Sequence, residues 1–249
     1  MRRRGIYLLP NLFTTAALFA GFYAIVQAMD SHFDLAAVAI FAAMVLDGLD
    51  GRVARLTRTQ SAFGAEYDSL SDMVSFGAAP ALVMYEWALQ GMGKLGWTAA
   101  FIYCAGAALR LARFNTQLDV ADKRYFIGLP SPAAASLVAG MIWAVHQYQI
   151  SGSTVRWFAW SLTIFAGLTM VSSIRFYSGK DINLRKSVPF GVVVLVALGI
   201  VVLAFGADVL PELLFGLFAA YALSGYLMWA VNRLRARRTP ARPPPTPTP

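Results

Sequence analysis

Long apolar segments alternate with short basic clusters along most of the chain. Several of these segments approach the ~20 residues that an α-helix needs to cross ~30 Å of hydrocarbon. Of the 249 residues, 58% are hydrophobic and only 14% are charged, a balance that favours a polytopic membrane protein over a soluble domain with a large core. We therefore predict an all-α polytopic membrane protein.

The apolar segments predict eight transmembrane helices. They span residues 10–29, 35–56, 66–90, 96–116, 131–149, 155–174, 187–205 and 210–232. We expect residues 1–232 to form a single transmembrane domain. Residues 233–249 are basic and rich in Pro and Thr, a composition that cannot bury a core, and they predict a disordered cytoplasmic tail.

The formal net charge of +8 raises the question of a nucleic-acid partner. However, the Lys and Arg residues recur in short clusters between apolar segments rather than forming one patch. With the N-terminus in the cytoplasm, 19 of the 21 basic residues fall in cytoplasmic segments, and only Lys94 and Arg156 fall outside. Cytoplasmic loops of membrane proteins carry this excess of basic residues. We therefore expect both termini in the cytoplasm, and no nucleic acid as a partner.

Four aspartates interrupt the apolar sequence at the end of the second predicted helix and the start of the third. Asp47 and Asp50 are three residues apart, and Asp68 and Asp72 are four apart, so each pair lies on one face of its helix. Two antiparallel helices joined by the polar turn at 58–62 would direct all four into one space. Because four negative charges repel strongly in a low-dielectric site, cations must balance them.

The residue types around the carboxylates indicate which kind of cation would bind. Residues 44–80 contain no His or Cys, and an all-oxygen site suits Mg²⁺ or Mn²⁺ rather than zinc. In an alternative interpretation the carboxylates pair with Arg52, Arg55 and Arg58 in a solvated loop. Such pairing explains one or two of the acids. It does not explain Asp68 and Asp72, which recur at helical spacing at the start of an apolar segment.

The carboxylates belong to a longer pattern of eight residues: Asp47, Asp50, Gly51, Ala54, Arg55, Gly64, Asp68 and Asp72. At these positions the chain resembles the CDP-alcohol phosphotransferases, whose signature is Asp-x-x-Asp-Gly-x-x-Ala-Arg, eight residues, then Gly-x-x-x-Asp-x-x-x-Asp. The resemblance implies a six-helix core, here followed by two C-terminal helices. It also implies displacement of CMP from a CDP-linked lipid or alcohol at a divalent-metal site in the membrane.

The resemblance further implies a role for each position of the signature. All four carboxylates are candidate ligands of one or two Mg²⁺ or Mn²⁺ ions. Asp68 and Asp72 are the candidate catalytic residues, with Asp72 as the base that removes a proton from the acceptor alcohol. In the alternative, Asp72 is only another ligand of the second metal. The candidate nucleotide-binding residues are Asp50, Gly51, Ala54, Arg55 and Gly64.

Several other segments resemble the phosphatidylserine synthase branch of that family: Leu9-Pro10-Asn11 with Thr14, Arg113-Phe114-Asn115, Gly128-Leu129-Pro130-Ser131-Pro132, and the run ending in Arg175. The candidate contacts for a substrate carboxylate or phosphate are Arg110, Arg113, Asn115, Ser131 and Arg175. A guanidinium binds such groups through two parallel hydrogen bonds. Alternatively, these arginines extend to the membrane interface and only fix the topology.

The branch resemblance implies transfer of the phosphatidyl group from CDP-diacylglycerol to L-serine, with release of CMP. We expect this reaction at the cytoplasmic face of the inner membrane, among membrane lipids, in a homodimer. Choline and glycerol 3-phosphate remain alternative acceptors. A metal-ion channel or transporter is an alternative of another class, but it would distribute acids along a path through the bilayer, whereas these acids cluster at one end.

Overall fold

The computed structural model describes residues 8–57, 59, 61–116, 125–177 and 208–238, which form seven helices and one two-stranded sheet. Six helices are α1 Leu8–Met29, α2 Phe33–Thr57, α4 Lys94–Thr116, α5 Ser131–Gln147, α6 Arg156–Val171 and α7 Leu210–Arg238. The remaining helix, α3, covers residues 62–92 in several segments. The strands are β1 Tyr125–Ile127 and β2 Arg175–Tyr177.

These helices correspond to seven of the eight predicted spans, and the predicted span 187–205 lies outside the described residues. Two boundaries differ from the prediction by four residues or more. Helix α3 begins at residue 62 instead of 66, because Ser61 provides an N-cap there. Helix α7 continues to Arg238 instead of ending at 232, so the first six residues of the predicted disordered tail are helical. Arg, Leu and Ala are strong helix formers, and cations are favourable at a helix C-terminus.

Three of the described helices contain a segment that is both long enough and apolar enough to cross a membrane. These segments are Pro10–Met29, Lys94–Thr116 and Leu210–Arg235. Leu12, Phe19 and Phe22 leave much of their apolar surface exposed on α1, as expected of side chains that contact lipid. For the other helices, crossing of the membrane stays a prediction.

Helix α5 lies at the centre of the helical packing. Twelve of its 17 residues are buried, so it is covered on all sides, chiefly by α2 and α7. Around it, α1 packs along α2, and α4 packs along α6. Small residues allow these helices to approach closely: Gly106 of α4 meets the backbone of Gly167 of α6, where a Cβ atom would overlap the carbonyl oxygen.

Helix α3 changes its winding directly after its second carboxylate. An α-helical segment, Ala62–Asp72, is followed by a π-helical turn, Met73–Ala78, and then by another α-helical segment, Ala79–Met84. Pro80 has no backbone N–H, so it cannot bond the carbonyl of Phe76 as a residue four positions later normally does. The buried hydroxyl of Tyr103, on α4, donates to that carbonyl instead, at 3.1 Å. The π-helical turn is thereby joined to α4 by a side-chain hydrogen bond.

A short antiparallel sheet was not part of the all-α prediction. Phe126 of β1 pairs with Phe176 of β2, and the next residue after β1, Gly128, donates from its N–H to the carbonyl of Ile174 at 2.8 Å. Gly128 has φ +78°, a conformation that glycine adopts readily. Three-residue strands are too short to show an alternating pattern in the sequence. The sheet ties the segment that enters α5 to the segment that leaves α6.

Candidate active site

The turn between α2 and α3 brings the two carboxylate pairs together. Asp47 and Asp50 lie on α2, which remains helical to Thr57, and the side chain of Ser61 then accepts a 3.0 Å hydrogen bond from the N–H of Gly64. Because this cap starts α3 within a few residues of the end of α2, Asp68 lies opposite the first pair. The predicted helix–turn–helix arrangement is therefore present.

Three carboxylates form the acid cluster, which consists of Asp47, Asp50 and Asp68. One oxygen from each lies within 4.8 Å of the others. Asp50 is only 5% exposed, and Oδ1 of Asp68 is buried without a hydrogen-bond partner. Three anionic groups at this spacing repel one another, and an unpartnered buried oxygen is costly. An oxygen-binding divalent cation relieves both problems, so the acid cluster fits Mg²⁺ or Mn²⁺.

The burial of this cluster argues against the solvated-loop alternative. Asp50 is buried, and its Oδ2 accepts a 2.7 Å hydrogen bond from the hydroxyl of Thr14. Arg55 is exposed, and its guanidinium lies near Gly51, with Nη1 3.5 Å from the point where a Cβ of that glycine would be. The carboxylates are therefore arranged around a shared internal space instead of extending into solvent.

Asp72 lies outside the acid cluster but interacts with two of its members, Asp47 and Asp68. The charge of the Arg110 guanidinium acts on Asp72 and on Asp47. Arg110 belongs to α4, is half-buried, and donates a 2.6 Å hydrogen bond to the hydroxyl of Ser131 at the start of α5. One basic side chain held by α5 therefore acts on a carboxylate of α2 and on one of α3.

A pocket of about 240 Å³ opens beside the acid cluster, between α1, α2 and α3. All five residues predicted to bind the nucleotide line it: Asp50, Gly51, Ala54, Arg55 and Gly64. Asp68 also lines it, so the pocket and the acid cluster share two carboxylates. The arrangement places the acid cluster, which fits a divalent cation, at the wall of a cavity that also has a basic side chain and two glycines.

Sequence reasoning assigned no site role to α1, yet its Pro10, Asn11 and Thr14 line the pocket. Further lining residues are Thr59, Ser61 and Ala65. A signal for α1 was present, because Asn11 and Thr14 are polar residues three positions apart in an apolar span and therefore share a helix face.

The five predicted substrate contacts are divided among four places. Arg110 and Ser131 are hydrogen-bonded to each other, and Arg110 interacts with Asp47 and Asp72. Asn115 donates a 2.9 Å hydrogen bond to the hydroxyl of Ser69, the residue that follows Asp68 in the sequence. Arg113 donates from Nη1 to the carbonyl of Val171 at 2.9 Å and thereby caps the C-terminus of α6. Arg175 lines a second pocket, of about 320 Å³, with Tyr125 and Trp229.

Comparison with known proteins identifies the family. The model of the CDP-alcohol phosphatidyltransferase family matches residues 7–165, which is more than half of the chain. The chain belongs to the CDP-alcohol phosphatidyltransferase family. As a member of this family of membrane enzymes, with three helices able to span a bilayer, it is an integral membrane protein.

Several relatives of this CDP-alcohol phosphatidyltransferase carry the name CDP-diacylglycerol–serine O-phosphatidyltransferase. The protein from Helicobacter pylori is 41% identical over 179 residues, covering 72% of this chain and 75% of the relative. The protein from Mycobacterium tuberculosis is 37% identical over 179 residues, covering 69% and 62%. The protein from Methanocaldococcus jannaschii is 42% identical over 137 residues, covering 55% and 61%.

Proposed function

We propose that this enzyme transfers the phosphatidyl group from CDP-diacylglycerol to L-serine, releasing CMP and forming phosphatidylserine. The observation that supports this most directly is the acid cluster at the wall of a pocket lined by the complete nucleotide-binding part of the signature. The names of the bacterial and archaeal relatives support serine as the acceptor.

The pocket residues would bind the cytidine nucleotide of the donor. Gly51 and Gly64 have no side chain and so allow a bulky nucleotide to approach the backbone of α2 and α3. Arg55 at the rim supplies a positive charge for the pyrophosphate. Asp47, Asp50 and Asp68 would hold one or two Mg²⁺ or Mn²⁺ ions. A bound divalent ion neutralises negative charge on the pyrophosphate and on the departing CMP.

The acceptor would enter on the side of Asp72. The serine hydroxyl attacks the phosphorus that carries diacylglycerol, a new oxygen–phosphorus bond forms, and the bond from that phosphorus to the CMP oxygen breaks. A hydroxyl is a weak nucleophile, so Asp72 takes its proton as the general base. The guanidinium of Arg110 donates to Ser131 and interacts electrostatically with Asp47 and Asp72, and it would bind the serine carboxylate on that side.

We place the enzyme in the inner membrane as a homodimer, with one catalytic domain, both termini in the cytoplasm and the pocket open to the cytosol. The distribution of basic residues supports this orientation, since the clusters flank the ends of α2 and α3 where the pocket lies. Soluble CMP and serine, and the metal ion, would then exchange with the cytosol.

A parallel acceptor assay tests the proposal. The purified protein, in vesicles that contain CDP-diacylglycerol, receives Mg²⁺ or Mn²⁺ and either serine, choline or glycerol 3-phosphate, and CMP release and the lipid product are measured. We expect CMP release with serine and phosphatidylserine as the product. Faster turnover with choline or glycerol 3-phosphate would show that this compound, and not serine, is the preferred acceptor. An absence of CMP release with all three would contradict the enzymatic proposal and favour a channel or transporter.

Metal dependence is tested in the same assay. Chelation should abolish CMP release, because the acid cluster then has no cation to balance it, and added Mg²⁺ or Mn²⁺ should restore the activity. Zn²⁺ should restore less, since the cluster offers only oxygen ligands. Full activity in excess chelator would overturn the metal assignment.

A further inference from the structure

Thr14 is a buried polar residue in the most N-terminal described helix. Its side chain is 4% exposed, and its hydroxyl lies 2.7 Å from Oδ2 of Asp50 and 3.2 Å from the carbonyl oxygen of Pro10 in its own helix. The hydroxyl has only one proton to donate. The shorter contact goes to a carboxylate, and hydrogen bonds to charged acceptors are shorter and stronger than those to neutral ones, so the proton lies on the bond to Asp50.

Hydroxyl groups of α3 hold α1 in a fixed register. Ser71 donates to the carbonyl of Thr14 at 3.1 Å, and Ser75 donates to the carbonyl of Ala17 at 3.0 Å. Gly21 allows the two helices to touch, because a Cβ there would overlap the backbone of Ser75. Since Ser71 precedes Asp72 directly, the same helix that carries two of the carboxylates also positions the hydroxyl of Thr14.

This bond restricts the orientation of Asp50. A carboxylate held at one oxygen cannot rotate freely about its Cβ–Cγ bond, so Asp50 is presented to Asp47 and Asp68 in one orientation. Hydrogen bonds from neighbouring groups to ligating carboxylates orient the ligands, and their loss typically lowers metal affinity by about 10–100-fold. The three helices α1, α2 and α3 then form the metal site together, although only two of them supply carboxylates.

We propose that Thr14 is a positioning residue that orients Asp50 for divalent-metal binding. The inference rests on the proposed function, because it assigns a role within the same metal site. Thr14 also lines the nucleotide pocket together with Asn11, so α1 connects the pocket to the acid cluster. Metal binding by the full-length protein, measured without substrate, tests the role directly.

Thr14→Val keeps the shape of the side chain and removes the hydroxyl. Direct titration of the purified, metal-stripped protein with Mn²⁺, with free Mn²⁺ followed by electron paramagnetic resonance, should show affinity about 10-fold or more below wild type. Thr14→Ser retains a hydroxyl and should restore affinity to within about 2-fold of wild type. Thr14→Ala repeats the loss of the hydroxyl with a smaller side chain, in case the valine disturbs packing.

Thr163→Val is the matched control. It removes another buried threonine hydroxyl, but one that bonds the carbonyl of Ala159 within its own helix, α6, at 2.7 Å. It should leave the Mn²⁺ affinity unchanged. Equal Mn²⁺ affinity of wild type and Thr14→Val, or an equal loss in Thr163→Val, would overturn the inference. If wild type itself neither binds Mn²⁺ nor releases CMP, the proposed function fails as well.

Discussion

Asp68 and Asp72 lie one helical turn apart on α3 but have different surroundings. Asp68 belongs to the acid cluster and has a buried oxygen without a partner. Asp72 interacts with Asp47 and Asp68, and unlike Asp68 it also interacts with the guanidinium of Arg110. A carboxylate with an unpartnered oxygen among other carboxylates is suited to a cation, whereas Asp72 does not line the nucleotide pocket and is proposed to take the proton of the acceptor.

The two carboxylates should therefore respond differently to the same substitution. Asp72→Asn should lower turnover by about 10²–10⁴-fold, the usual contribution of a positioned base, while Mn²⁺ affinity changes little. Asp68→Asn should weaken Mn²⁺ binding, and high metal should partly rescue its turnover. Turnover, CMP affinity and Mn²⁺ affinity are measured for both variants. If both lose metal affinity equally and both are rescued by metal, Asp72 is a metal ligand and the base assignment fails.

Arg110 and Arg113 form a second contrasting pair. Arg110→Gln should raise the KM for serine about 10–100-fold, because a hydrogen bond to a charged group contributes about 1.5–3 kcal/mol. Arg113→Gln should lower the unfolding temperature instead, since it uncaps the carbonyl of Val171 at the end of α6. Serine kinetics and thermal unfolding of both variants distinguish the two roles. A larger increase in the serine KM for Arg113→Gln would reverse the assignment.

At the level of secondary structure, the winding of α3 determines how the site is supported. The π-helical turn Met73–Ala78 follows Asp72 directly, and Pro80 leaves the carbonyl of Phe76 without its usual partner. Tyr103 supplies the hydrogen bond from α4. Turns of π-helix occur frequently at functional sites, and here the turn separates the carboxylate-bearing segment from the segment buried against α4.

Tyr103→Phe should therefore destabilise the protein by about 1–3 kcal/mol, because a buried carbonyl loses its donor while the ring still fills its space. The unfolding temperature in detergent measures the effect. Tyr23→Phe on α1 is a suitable control, since Tyr23 is 39% exposed. Equal effects of the two substitutions would show that the Tyr103 hydroxyl contributes nothing specific to α3.

For the whole molecule, the proposed topology depends on which connections face the cytosol. Single cysteines are introduced at Gln60, between α2 and α3 in the sequence, and at Gly93, between α3 and α4, after replacement of the native Cys104 by Ser. A membrane-impermeant thiol reagent should label the first from the cytoplasmic side only and the second from the outside only, because 19 of 21 basic residues favour this orientation. Labelling of both from one side would mean that α3 does not cross the membrane.

The sequence by itself determined the helical segments and the grouping of the carboxylates. Apolar length and the 3.6-residue period are local properties, so Asp47 with Asp50, and Asp68 with Asp72, could be placed on their helix faces without knowledge of the fold. The short polar turn between them was also readable, because two helices joined by few residues must be antiparallel neighbours. These local features predicted the acid cluster, whereas the residues that line the pocket beside it were indicated by the resemblance to the family signature.

Only the tertiary structure decided which other elements complete the site. Thr14 and Asp50 are separated by 36 positions, and Arg110 and Ser131 by 21, and no local periodicity relates residues at such distances. The same holds for Arg113. Although Arg110 and Arg113 both lie on α4, Arg113 donates to the carbonyl of Val171 on α6, whereas Arg110 donates to Ser131 on α5. Contacts of this kind depend on how helices pack, and packing is set by the combined shape of many small buried residues instead of by any one motif.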